Sequence, residues 1–109
     1  MSKSSITIDQ GVIDGLPPTH PGEILRDELA ELGLSASAFA AALDVPANRI
    51  STIIAGKRAV TADTALRLGR FFGTSAKFWL NLQDLHDLKI AAASSGSLII
   101  ERVQPRATT

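Results

Sequence analysis

Residues 34–56 read LSASAFAAALDVPANRISTIIAG. They contain two short stretches of helical periodicity separated only by Asp44 and Val45, and Ser35 or Ser37 can cap the first of them. A connection this short makes two helices cross sharply, as they do in a helix-turn-helix. Asp44 is then expected to need a positive φ, which aspartate tolerates better than most residues do. The stretch therefore predicts a helix-turn-helix.

One further helix is predicted before this unit. It follows Pro21 and stops at Gly33, because proline suits a first helical turn and glycine suits a helix C-terminus. Leu25, Leu29 and Leu32 recur at i, i+4 and i+7, so they form one apolar stripe. The other face of this helix is acidic and carries Glu23, Asp27, Glu28 and Glu31.

Two helices are predicted after the unit. One is capped by Thr61 and ends at Gly73, and the next runs from Thr74 or Ser75 to roughly Ala93. The side chains of the last four helices that are expected to face the core are Phe39, Ala40, Leu43, Ile50, Ile53, Ile54, Ala65, Leu68, Phe72, Phe78 and Leu82.

Both chain ends are predicted to be extended. Ile6 and Ile8 alternate with polar residues, residues 94–97 read Ser-Ser-Gly-Ser as a flexible joint, and Leu98 to Val103 is β-prone. These ends either are disordered or add strands to a partner or to each other. The tail is expected to be more ordered than its position suggests, because its apolar residues are costly to expose. The predicted fold is all-α, with five helices between an N-terminal arm (1–19), a helical domain (20–93) and a C-terminal tail (94–109).

Composition excludes several classes of protein. The 109 residues fit one domain, 45% are hydrophobic, and the absence of cysteine excludes disulfides and thiolate zinc sites. No apolar run approaches the ~18 residues of a membrane span, and the N-terminus shows no secretory signal, so a soluble cytoplasmic protein is expected.

The net charge of zero hides two opposite regions. Residues 1–44 carry two basic and seven acidic side chains, whereas residues 45–80 carry six basic ones and only Asp63, so their net charges are −5 and +5. An asymmetry of this kind indicates an interaction surface.

No pattern typical of an enzyme is present. His86 lies beside Asp84 and Asp87 on one helix without converging ligands, and His20 precedes a proline at a helix start, where a structural role is expected. There is no nucleophile elbow and no glycine-rich phosphate loop. We expect no catalytic activity, no metal and no cofactor.

The third helix, which begins at Pro46, carries the candidate base contacts. With its isoleucines turned inward, small polar side chains remain outside, and such a face fits deep in a major groove. Asparagine pairs with adenine, arginine with guanine, and serine or threonine with either. The candidates for bases are Ala47, Asn48, Arg49, Ser51 and Thr52; those for phosphates are Ser35, Lys57, Arg58 and Thr61, while Arg67 and Arg70 face either solvent or the flanking backbone.

Four strings of the sequence are distinctive: HPGEILRDEL (20–29), LDVPANRIS (43–51), AGKRAVTADTALRL (55–68) and FFGTSAKFWLNLQ (71–83). They resemble those of the HigA-type antitoxins, which belong to the phage-repressor-like class of five-helix proteins. This resemblance implies a homodimer that binds an operator in its own promoter, and a complex with a HigB-type ribonuclease toxin that it neutralises. The class commonly has glutamine early in the second helix, where this chain has Ala36 and Ala38.

The resemblance leaves some surfaces and functions open. A dimer through the fifth helix would use Phe78, Trp79, Leu82 and Leu85, some of which could instead be core. The acidic face of the first helix serves either solubility or the docking of a basic toxin. A stand-alone regulator without a toxin and a protein-binding adaptor are the alternative functions.

Overall fold

Five helices account for most of residues 19–107, the part of the chain that the computed structural model describes. No strand occurs in this range, so the predicted five-helix, all-α fold is confirmed. The prediction for Ile6 and Ile8 lies outside the described residues. The helices are α1 (Pro21–Leu32), α2 (Ala36–Leu43), α3 (Ala47–Ile54), α4 (Ala62–Phe72) and α5 (Ala76–Arg102).

Side-chain caps set the starts of four helices. His20 caps α1 through Nδ1, which accepts a hydrogen bond of 2.9 Å from the amide of Gly22. Ser35, Thr61 and Ser75 cap α2, α4 and α5 in the same way, each accepting from an amide in the first turn. The sequence left two candidate caps for α2 and two for α5, and these contacts decide between them.

The core lies where α1, α2, α3, α4 and the first half of α5 meet. The predicted inward faces of α2, α3 and α4 are confirmed, with Ile54 and Phe72 only half-buried. Two residues that were expected to face the core do not: Leu32, from the apolar stripe of α1, is 52% exposed, and Phe78 on α5 is 44% exposed. These two predictions were wrong. The side chains that are fully buried include Leu25, Phe39, Ile50, Ile53 and Leu68.

Residues 94–102, the first part of the predicted C-terminal tail, are helical rather than strand-like. α5 runs for 27 residues without a break through residues 94–97 and ends at Arg102, so the predicted joint and the predicted β-prone run are both wrong. Three alanines, Ala91–Ala93, precede the serines, and alanine has the highest helix propensity. The added turns leave Leu98, Ile99 and Ile100 largely exposed, the last at 80%.

α1 and α3 approach each other closely at Gly22. A Cβ atom at this position would collide with the carbonyl oxygen of Ile53, the last buried residue of α3. Glycine is therefore required here by space rather than by backbone conformation, and the contact sets the position of α3 on the core.

Candidate nucleic-acid interface

The turn between α2 and α3 has the geometry that the sequence predicts. Asp44 has φ 60° and ψ 49°. Among residues 19–107, it is the one residue other than a glycine whose φ is positive. The amide of Val45 donates to the carbonyl of Ala40 at 3.0 Å, which closes the end of α2. The two helices therefore cross as a helix-turn-helix.

Arg67 on α4 fastens this turn from the side. Its Nη1 donates to the carbonyl oxygens of Leu43 and Asp44, at 2.9 and 3.2 Å. These carbonyls lie at the end of α2, where helix geometry leaves them without partners. The sequence left open whether Arg67 faces solvent or the DNA backbone. These contacts show that Arg67 has a structural role, since it stabilises the turn.

α3 presents a polar face to solvent. Ala47, Asn48 and Ser51 are exposed, while Ile50 and Ile53 on the opposite side are completely buried. Thr52 is half-buried, and its hydroxyl donates to the carbonyl of Asn48. Of the predicted base-contacting residues, Ala47, Asn48 and Ser51 therefore share the exposed side of α3, while Thr52 is already engaged by its own helix.

Arg49 is held by an ion pair. Its Nη1 lies 2.7 Å from Oδ2 of Asp63, and Nε of Arg67 lies 2.9 Å from the same oxygen. Hydrogen bonds from Arg67 and then Arg49 hold the pKa of Asp63 below its usual value. The same pairing with Asp63 raises the pKa of Arg67. Asp63, which the sequence singled out only as the lone acid of the basic region, thus links α3 to α4.

The α3–α4 loop, residues 55–61, lies at the end of α3 and exposes Lys57 and Arg58. The amide of Lys57 donates to the carbonyl of Thr52 at 2.9 Å, so the loop continues directly from the helix. Thr61 and Ser35 use their hydroxyl oxygens as helix caps. The structure gives these two residues a structural role, and phosphate contact by all four remains a prediction.

The loop is supported from behind by α5. The amide of Val60 donates to Oε1 of Gln83 at 2.8 Å, and both residues are buried. Sequence analysis missed Gln83, although a glutamine close to the apolar positions of a helix is a usable signal, because a buried amide needs partners.

The residues of α5 that were predicted to form a dimer interface differ in their exposure. Phe78 and Leu85 are 44% and 40% exposed, so they have surface to offer a partner. Trp79 is 2% exposed, and its Nε1 donates to the hydroxyl of Thr74 at 3.1 Å. Leu82 is half-buried against the core. Trp79 is therefore a core residue with almost no area left for an interface.

The two histidines pack together. The rings of His20 and His86 meet edge to face with centroids 4.9 Å apart. Burial lowers the pKa of His20, and His86 lowers it further.

Residues 19–107 contain no group of three or more potential ligands that could hold a metal ion. Among the helices of residues 19–107, none combines the length and the hydrophobicity of a membrane-spanning segment.

Comparison with known proteins places this geometry in a family. Residues 25–79 match the family model described as helix-turn-helix. An addiction module antidote protein of the HigA family from Coxiella burnetii is 51% identical, with a TM-score of 0.81; the match covers 84% of this chain and 100% of that one. The chain belongs to the HigA family of helix-turn-helix proteins.

Two further proteins are similar to this chain. The Pseudomonas aeruginosa antitoxin HigA, solved with the higBA promoter, is 47% identical with a TM-score of 0.80, over 84% of this chain and 100% of that one. Virulence-associated protein I from Dichelobacter nodosus is 52% identical over 86 residues, which is 78% of this chain and 80% of the relative.

Proposed function

We propose that this HigA-family chain is an antitoxin that represses its own operon. One observation carries the DNA-binding part: the exposed polar face of α3 is followed by a loop that exposes the cations Lys57 and Arg58, and a buried hydrogen bond from Val60 to Gln83 holds that loop. The P. aeruginosa relative solved with promoter DNA supports the same assignment. Asn48, Arg49 and Ser51 contact bases, and the cations of the loop contact phosphates.

The DNA-binding form is a homodimer. Two copies joined through the exposed part of α5, at Phe78 and Leu85, place two α3 helices in successive major grooves. The operator is then an inverted repeat with half-sites about one helical turn apart.

The toxin partner is a basic HigB-type ribonuclease. The exposed face of α1 carries Glu23, Asp27, Glu28 and Glu31, and complementary charge would speed association with a basic protein. Neutralisation of such a toxin requires no catalysis by this chain. Because both the operator and the RNA substrates of the toxin are in the cytoplasm, the chain would act there.

A stand-alone regulator is the second candidate function, because the DNA-binding surface is complete without a toxin. Co-purification with the protein encoded in the neighbouring reading frame separates the two candidates. A basic partner of ~90–100 residues that dissociates as salt is raised supports the antitoxin. The absence of any partner, together with operator binding, supports the lone regulator.

A footprint on the DNA upstream of the chain's own gene tests the proposal as a whole. We expect protection of an inverted repeat with two half-sites about one turn apart. Absence of protection at physiological salt would contradict DNA binding and favour the protein-binding adaptor.

A further inference from the structure

Gln83 is the buried polar residue that joins α5 to the α3–α4 loop. Its Oε1 accepts from Val60 at 2.8 Å, and its Nε2 donates to Oδ1 of Asp87 at 3.0 Å. The orientation of the amide is fixed by its two neighbours, since the backbone N–H can only donate and the carboxylate can only accept. Gln83 is 5% exposed and Val60 is 3% exposed, so water does not replace the bond between them.

A second contact holds the same loop from α1. His20, the cap of α1, packs on His86 of α5, and the backbone of Arg58 lies near enough to His20 to raise its pKa. The loop backbone is thus held from behind at residue 60 and lies against α1 at residue 58, while the side chains of Lys57 and Arg58 are exposed to solvent.

We propose that Gln83 is a positioning residue for DNA binding, which holds the α3–α4 loop so that Lys57 and Arg58 reach the phosphates beside the bases that α3 contacts. This inference rests on the proposed DNA-binding function. Its physical basis is preorganisation: a loop that is already ordered loses less conformational entropy when it binds. Without the acceptor, the buried amide of Val60 has no partner, and the loop must shift to bring it to water.

The position of α3 does not depend on Gln83. Ile50 and Ile53 bury α3 in the core, Gly22 fixes its distance from α1, and Arg67 fastens the preceding turn. Loss of Gln83 is therefore expected to weaken the phosphate contacts and to leave base recognition intact. A displaced α3 would weaken both, and a smaller folded fraction is detected separately, which makes the roles distinguishable.

The test compares Gln83→Met with Gln104→Met, which makes the same change at an exposed position outside the helices. Affinities are measured over a salt series on upstream DNA and on unrelated DNA, with the folded fraction checked by circular dichroism. We expect Gln83→Met to lower both affinities about three- to tenfold, with their ratio kept. The salt slope should fall by about one, and amide exchange at Val60 should become faster.

A charge-neutral double variant provides the rescue. Gln83→Glu with Asp87→Asn keeps the acceptor for Val60 and reverses the donor and acceptor of the second bond. It is expected to bind within about twofold of the original chain. If Gln83→Met does not fold, Asp87→Ala, which removes the anchor of Gln83, is compared with Asp84→Ala, which removes the same charge.

The outcomes separate the inference from the function beneath it. If the unmodified chain binds no upstream DNA, both the proposed function and the inference are wrong. If it binds, and Gln83→Met or Asp87→Ala either matches its control or lowers the specificity ratio as much as the affinity, only the positioning role is wrong.

Discussion

Arg49 and Asp63 form an ion pair of 2.7 Å that ties α3 to the first turn of α4. The same carboxylate binds Arg67, which in turn holds the carbonyls at the end of α2. One acidic side chain therefore connects the proposed base-contacting face to the turn of the helix-turn-helix. Hydrogen bonds from Arg67 and Arg49 lower the pKa of Asp63, which favours its charged form.

Asp63→Asn is predicted to raise the affinity for DNA of any sequence. The change removes a negative charge next to the DNA-binding surface and releases Arg49, which then contacts phosphates without regard to sequence. Affinity for unrelated DNA should rise about two- to fivefold, more than affinity for the operator, so the specificity ratio falls. Fluorescence anisotropy with both DNAs at one salt concentration measures this ratio.

Asp84→Asn is the matched control for this prediction, because it removes the same charge from an exposed position on α5. Equal effects of the two variants on the specificity ratio would show that the ion pair has no part in selectivity.

Gly22→Ala is predicted to destabilise the fold strongly. The new methyl group collides with the carbonyl oxygen of Ile53, and backbone cannot move aside as a flexible side chain can. The free energy of unfolding should fall by about 3 kcal/mol. Gly96→Ala is the control: its methyl group meets only the Cβ of Ala92 at 3.9 Å within a helix, so it should stabilise by up to about 1 kcal/mol. Urea unfolding measures both, and a Gly22→Ala variant as stable as the original would contradict the close packing of α1 on α3.

Stability is predicted to fall as the pH falls below 6.5. Burial and the neighbouring His86 lower the pKa of His20 from 6.5, so the folded state favours its neutral ring. The stabilisation is complete above 6.5 and is lost as the pH falls toward the lower pKa of the folded state. Asp87, Glu23 and the hydrogen bond with the backbone of Arg58 act in the opposite direction, but their effect is smaller.

His20→Asn isolates this effect, because asparagine also caps a helix but does not titrate. Thermal unfolding between about pH 8 and pH 5 should show a weaker pH dependence in the variant than in the original chain. Parallel curves for the two proteins would exclude His20 as the source.

Local signals in the sequence predict most of this fold. Pro21, Gly33 and Thr61 mark helix ends through their own backbone preferences and hydrogen bonds, and the structure has those ends where expected. The predicted end of α5 comes too early, because serine and glycine in residues 94–97 are typical of a break. These residues lower helix propensity without preventing a helix, and α5 continues through them to Arg102.

The candidate site was predicted less completely. The exposed face of α3 follows from periodicity, because the buried isoleucines determine which residues remain outside. The contacts that hold it do not: Arg67 and Leu43 are 24 residues apart, and Val60 and Gln83 are 23 apart. Such pairs depend on how helices pack, and a local pattern carries no information about that.

The central claim, that α3 recognises bases while the loop holds phosphates, is tested most directly by comparing Asn48→Ala with Lys57→Ala. Affinities are measured on the operator and on a set of operators with single base changes. We predict that Asn48→Ala removes about 1–3 kcal/mol of discrimination at one base position and leaves the others unchanged. Lys57→Ala should weaken binding to every sequence equally and reduce the salt slope by about one. An Asn48→Ala variant that retains the full base preference of the original chain at every position would contradict the claim.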